Sequence, residues 1–196
     1  MNVQPTVWPL TMIPALAAVS GAIWILTLAL TLYAGWTDYR TRRIPNWLTV
    51  SGLFVGITAN SILGGWRGAL HSVEGAGLAL GLLLPVVLLR GLGAGDWKLM
   101  GAVGALTSWQ TMLFILIVAI FVSAAMGIVQ MIATRRVKIT LRNLLTLGKG
   151  LATFGLRADL AEISLDNPTL LKVPFGVGVA VATMASFFLA RWTHAA

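Results

Sequence analysis

The sequence predicts an all-α fold, a polytopic transmembrane helical bundle of about six helices with a cytoplasmic amphipathic segment. Three observations predict it. The chain is 58% hydrophobic and only 10% charged, with a mean hydropathy of +0.87, whereas soluble domains are about 25% charged. Several apolar runs approach the roughly 20 residues that cross a bilayer. Basic residues gather between those runs rather than within them. The short alternating segments of a transmembrane barrel are not seen. Residues 1–196 have the size of a single membrane-embedded domain, in which 134–171 read as a cytoplasmic linker.

The elements follow in order. No basic region precedes the first apolar run, and polar, proline-containing sequence does, so about Ile13 to Tyr33 reads as a retained first helix rather than a cleaved leader. It is expected to end near Ala34-Gly35-Trp36, leaving Asp38 where the run meets a basic loop. Pro45 restricts Ile44 to extended geometry, and Asn46 is a candidate cap for the next helix. That second helix runs from Trp47 to Leu63, and Gly64-Gly65-Trp66-Arg67-Gly68 makes a turn. The third runs from His71 or Ser72 to Leu89, with Pro85 expected to bend it.

Trp97 to Leu106 forms a short fourth helix. At about 1.5 Å per residue it falls short of the roughly 30 Å hydrocarbon core, so tilting, shielding, local thinning or extension through the preceding glycines is expected. Thr111 to Ala133 is the cleanest span, and Pro174 to Trp192 supplies the last. Between them, Ile139, Leu141, Leu144, Leu145 and Leu147 alternate with basic and polar groups, which suits an interfacial amphipathic helix.

The net charge is +8, from 14 basic and 6 acidic residues. In a six-span reading, 12 of the 14 fall on one side, and only Arg67 and Arg191 on the other. The positive-inside rule places the crowded side in the cytoplasm and both termini outside it. Contact with anionic lipid accounts for the charge without nucleic acid. There are no cysteines, which excludes thiol catalysis, disulfides and a cysteine zinc site. His71 and His194 are isolated in sequence, so no metal is expected.

Two aspartates stand out. Asp38 follows the first apolar run, and Asp96 lies in Gly93-Ala94-Gly95-Asp96-Trp97-Lys98 before the fourth. Carboxylates near lipid are costly and usually have a task or a partner. Both are placed at the cytoplasmic boundary. If they meet, one can act as base on a water while the other donates a proton, as in aspartyl proteases. Two other readings stay open on the residues alone. Asp38 with Arg40 or Arg42, and Asp96 with Lys98, would make interfacial ion pairs. Alternatively, the acids would serve a proton- or ion-coupled carrier. Gly93-x-Gly95-Asp96 is no dinucleotide fingerprint, since it lacks a preceding soluble strand and the further spaced glycine.

Three stretches together carry a family resemblance: Asp38-Tyr39-Arg40-Thr41-Arg42-Arg43-Ile44-Pro45-Asn46, Gly93-Ala94-Gly95-Asp96-Trp97-Lys98-Leu99, and Lys172-Val173-Pro174-Phe175-Gly176. The chain resembles type IV prepilin peptidases, membrane aspartyl proteases with a Gly-x-Gly-Asp signature. The resemblance implies cleavage of a short basic leader after a glycine, at the cytoplasmic face of the inner membrane, with Asp38 and Asp96 as the catalytic pair and no cofactor. It implies that Gly93, Gly95, Lys98, Arg43, Pro45, Asn46, Pro174, Phe175 and Gly176 shape the site. The implied partners are a prepilin or pseudopilin substrate and membrane lipids, with a homodimer left open.

Larger family members insert a cytoplasmic domain, often with Cys-x-x-Cys pairs, and N-methylate the product. This chain has no cysteines and no such insertion between its first helices, so it looks like the compact peptidase-only branch serving tight-adherence or Flp pili. Archaeal preflagellin peptidases are similar too. Trp97 stands where the family pattern suggests a smaller apolar residue, and Pro-Phe-Gly is followed by Val177 rather than proline. A noncatalytic assembly scaffold is a further alternative.

Overall fold

The computed structural model describes residues 19–89, 91–134, 145 and 173–195. The amphipathic stretch expected at 139–147, apart from Leu145, lies outside the described residues, as do the polar segment holding Asp159, Glu162 and Asp166 and the rest of the linker beyond Thr134.

Helix α1 is Gly21–Thr41. Ser20 caps its start, with Oγ accepting from the Ile23 N–H at 3.4 Å. It ends at Arg42, which adopts a left-handed conformation (φ 54°) and donates its N–H to the Asp38 carbonyl. The helix therefore outruns the expected end near Trp36, and Asp38 lies inside it. Hydrophobicity falls away after Ala34, but Ala34, Gly35 and Asp38 share one buried face at helical spacing. Packing on that face continues the helix where composition alone suggests a loop.

Helix α2, Asn46–Leu88, is a folded-back hairpin rather than a rod. Its backbone leaves the helical region at Gly65 (φ 59°, ψ −145°), a conformation that favours glycine. Asn60 Nδ2 then reaches Ser72 Oγ at 3.0 Å. Twelve residues along a straight helix would lie about 18 Å apart, so the two arms, 46–64 and 66–88, run antiparallel. They correspond to the second and third helices read from sequence. The break falls at Gly65, within the turn expected at Gly64–Gly68, and α2 continues through Pro85 to Leu88.

Helix α3, Ala94–Leu106, occupies the centre. All eight residues from Leu99 to Leu106 are buried. Its closest partner is the α2 hairpin. Gly75 and Gly104 face each other so tightly that a Cβ on either would overlap the other's carbonyl oxygen. A Cβ on Gly56 would come within 2.8 Å of the Ala105–Leu106 backbone. The short helix is thus shielded by protein. Its last carbonyls, Ala105 and Leu106, each accept from Asn60 Nδ2 at 3.0 Å, which satisfies groups that a helix end leaves open.

Helix α4, Trp109–Ala133, starts at Ser108, whose Oγ accepts from the Thr111 N–H. Helix α5, Phe175–Ala195, packs against both α1 and α4. By length and composition, Asn46–Leu88, Trp109–Ala133 and Phe175–Trp192 can each cross a membrane.

The bundle has an apolar core with buried hydroxyls set into it, and its outer surface is apolar too. Thr27, Thr31, Thr183 and Ser186 are buried, and each hydroxyl donates to the carbonyl four residues earlier at 2.7–2.8 Å. Ile62, Phe121, Phe188 and Trp192 point outward and are strongly exposed. Apolar surface of this kind belongs against lipid. The chain is an all-α, polytopic membrane bundle.

Gly75→Ala is expected to lower stability by at least about 1–3 kcal/mol, because backbone blocks the new methyl. Gly77→Ala, with open space at its Cβ, is expected to be neutral or mildly stabilising. Thermal unfolding in detergent micelles checks both.

Candidate active site

Both aspartates bond the N-terminus of a helix, Asp96 that of its own and Asp38, from the last turn of α1, that of another. Asp96 is the third residue of α3, and its carboxylate reaches back to the N–H of Gly93, the residue preceding the helix. This is the acidic half of a capping box. Gly93 has no Cβ to obstruct it, and one would lie 2.9 Å from Asp96 Oδ2. Asp38 performs a comparable task across the fold. Its Oδ2 accepts from the N–H of Gly176, the second residue of α5, at 2.8 Å. The first N–H groups of a helix lack partners within it and carry the positive end of its dipole. Each carboxylate occupies such a position, Asp96 by local sequence and Asp38 by tertiary contact.

The two acids line one cavity of about 270 Å³, together with Arg42, Arg43, Ile44, Asn46, Gly93, Ala94 and Gly95. Asp38 is buried, and Asp96 is half-buried. Asp96 Oδ1 is enclosed without a hydrogen-bond partner among the described residues. Asp38 is close enough to act electrostatically on Asp96, and Arg42 on Asp38.

Ile44 joins the parts. A Cβ on Gly95 would stand 3.2 Å from Ile44 Cβ, and one on Gly176 would stand 3.2 Å from Ile44 Cδ1. The isoleucine is wedged between the two glycines that flank the acids. The same Cβ on Gly176 would also lie 3.0 Å from both Asp38 Cβ and Asp38 Oδ2.

The other residues expected to shape the site have distinct places. Pro45, not Asn46, is the residue preceding α2, and no side chain caps that end. Asn46 is instead held by Lys98, its Oδ1 accepting from Lys98 Nζ at 3.1 Å. That bond fastens the start of α2 to the first turns of α3. Lys98 thus spans to Asn46, where an ion pair with Asp96 was one expectation. Trp97 donates its indole N–H to the Leu80 carbonyl at 2.8 Å, anchoring α3 to the second arm of α2. Pro174 is buried just before α5, and Phe175 packs on the core.

Sequence reasoning passed over Ile44, Arg42 and Ala94 as site residues. Ile44 had a legible signal, a single apolar residue in a basic loop immediately before a proline.

A membrane bundle with two carboxyls in one cavity, each at a helix N-terminus, has the groups that acid–base hydrolysis requires. The family model described as the type IV leader peptidase family matches residues 9–128, and the chain belongs to that family. The prepilin leader peptidase/N-methyltransferase of Escherichia coli (strain K12) is 33% identical over 130 residues, covering 63% of this chain and 57% of that protein. The match therefore spans a little over half of that relative's length. No solved structure matches the chain. Asp38 and Asp96 fall within the family-matched residues, whereas Gly176 lies beyond them.

Gly95→Val is expected to lower stability by about 1–3 kcal/mol by crowding Ile44. Adding Ile44→Ala should recover part of that loss. Unfolding midpoints of the two single variants and the double variant give the coupling, and simple additivity would remove Ile44 from this contact.

Proposed function

We propose that this chain is an aspartyl endopeptidase of the inner membrane that cleaves the basic leader from prepilin-like substrates after a glycine. Asp38 and Asp96 are the catalytic pair. The observation that carries the reading is their meeting in one cavity from separate helices. Two neighbouring carboxyls cannot both ionise cheaply, so they share a proton, and one activates water while the other protonates the substrate. Gly93 and Gly95 let backbone and Ile44 approach the acids, while Arg43, Pro45, Asn46, Lys98, Pro174, Phe175 and Gly176 hold the surrounding frame.

The proposed topology has six crossings in a single domain, each arm of α2 counting separately. The site faces the cytoplasm, both termini lie outside it, and the linker at 134–171 is cytoplasmic. The support is the clustering of basic residues on the side of Asp38 and Asp96. Of the two activities in the Escherichia coli relative's name, only the peptidase is carried over. The sequence has no cysteines, and only a short loop joins α1 to α2.

Incubation of purified protein with candidate prepilins, followed by N-terminal mass determination, tests the activity. Asp38→Asn and Asp96→Asn should each reduce cleavage at least about 100-fold, with membrane-inserted protein unchanged. Full cleavage by either variant overturns the pair. Cleavage by the unmodified enzyme should follow a bell-shaped pH profile whose two limbs belong to the pair jointly.

Because the sequence lacks cysteine, single Cys substitutions at Asn46 and Ala94 give clean accessibility labels. Both should react with an impermeant thiol reagent only from the cytoplasmic side. Reaction from opposite sides would dismantle the topology.

A further inference from the structure

The two acids that share the cavity have unequal surroundings. Asp38 Oδ2 takes a 2.8 Å hydrogen bond from the first turn of α5, and Arg42 attracts the same carboxylate. Charge on Asp38 is therefore met by a helix N-terminus and by a cation. Asp96 accepts from Gly93, but its other oxygen is buried with no partner among the described residues. Negative charge on such an oxygen is the costlier of the two, and a proton there removes the cost. The charged groups lining the cavity are Arg42 and Arg43 from the turn after α1, and the two acids. Lys98 of α3 is directed to Asn46. From α2 the lining residue is the neutral Asn46, and α4 and α5 add none among the described residues.

We propose that the N-terminus of α5 is a positioning element that divides the labour of the pair: the Gly176 N–H holds Asp38 as the carboxylate that activates water, and Asp96 carries the proton. This rests on the peptidase reading above. As the water oxygen bonds to the scissile carbonyl carbon, a water proton passes to Asp38 and the Asp96 proton passes to the carbonyl oxygen. In the collapse of the resulting diol the C–N bond breaks. The amine departs with the proton held by Asp38, and Asp96 regains one from a diol hydroxyl. Both acids end as they began. Gly176 acts through Asp38 and is a positioning residue, and only glycine fits there without displacing that carboxylate.

Infrared spectroscopy of the purified full-length protein with carbon-13-labelled aspartate reads the proton directly, without substrate. The chain has only four aspartates, at 38, 96, 159 and 166, so a protonated-carboxyl band is assignable. Near neutral pH the band should survive Asp38→Asn and vanish in Asp96→Asn. It should return when Gly176→Ala is added to Asp96→Asn, because the new methyl pushes Asp38 from its N–H donor. The mirror pattern, or identical behaviour of the two Asn variants, overturns the division. Failure of the band to return overturns the part given to Gly176. Since the band is independent of cleavage, failure of the peptidase reading shows separately, as an unmodified protein that leaves every prepilin intact.

Discussion

A helix end buried away from water must find partners for its open N–H and carbonyl groups, and that requirement organises this bundle. Helix α3 makes the demand most sharply, because it is short and central and has its last eight residues buried. Its carbonyl end is met by Asn60 from the α2 hairpin. Its N–H end is met by Asp96 from within its own first turn. The N–H end of α5 is met by Asp38 from α1. The structural answer to these open helix termini therefore places two carboxylates in the same cavity. Chemistry proposed for the pair uses groups that the architecture already needs.

Close backbone approach is the second constraint, and it follows from the first. Asn60 can reach the end of α3 only if the hairpin lies almost against it. Gly56, Gly75 and Gly104 permit that distance. Association of helices in lipid gains little from hydrophobicity and relies on packing and hydrogen bonds, for which small residues clear the way. The same logic recurs at the cavity, where Gly95 and Gly176 receive Ile44 from two sides. A loop residue thereby links α1, α3 and α5 around the acids.

The segment containing Gly176 lies beyond the residues that the family model matches, yet it supplies the hydrogen bond to an aspartate within them. The separation is 138 residues. Composition describes α5 as one more apolar span. Its contribution at the cavity is a single backbone N–H, which no side-chain pattern advertises. The late Pro174-Phe175-Gly176 stretch is legible as a motif only beside the other two, and its contact is legible only in three dimensions.

Membrane character, the helical periods and the two aspartates were set by the sequence itself. Long apolar runs cannot be stabilised in water, and scarce charges in such runs are conspicuous. Gly64-Gly65 likewise announced a turn, since few other residues tolerate that backbone geometry. Tertiary structure decided the rest. It carried α1 past its apolar stretch because Asp38 is buried on the face that packs against α5. It gave Asn46 to Lys98 rather than to a helix cap. It also made the two acids unequal, by aiming a helix N-terminus at one and enclosing an oxygen of the other. Hydrophobicity and spacing are local properties, whereas a carboxylate's environment is assembled from segments that meet only when the chain is folded.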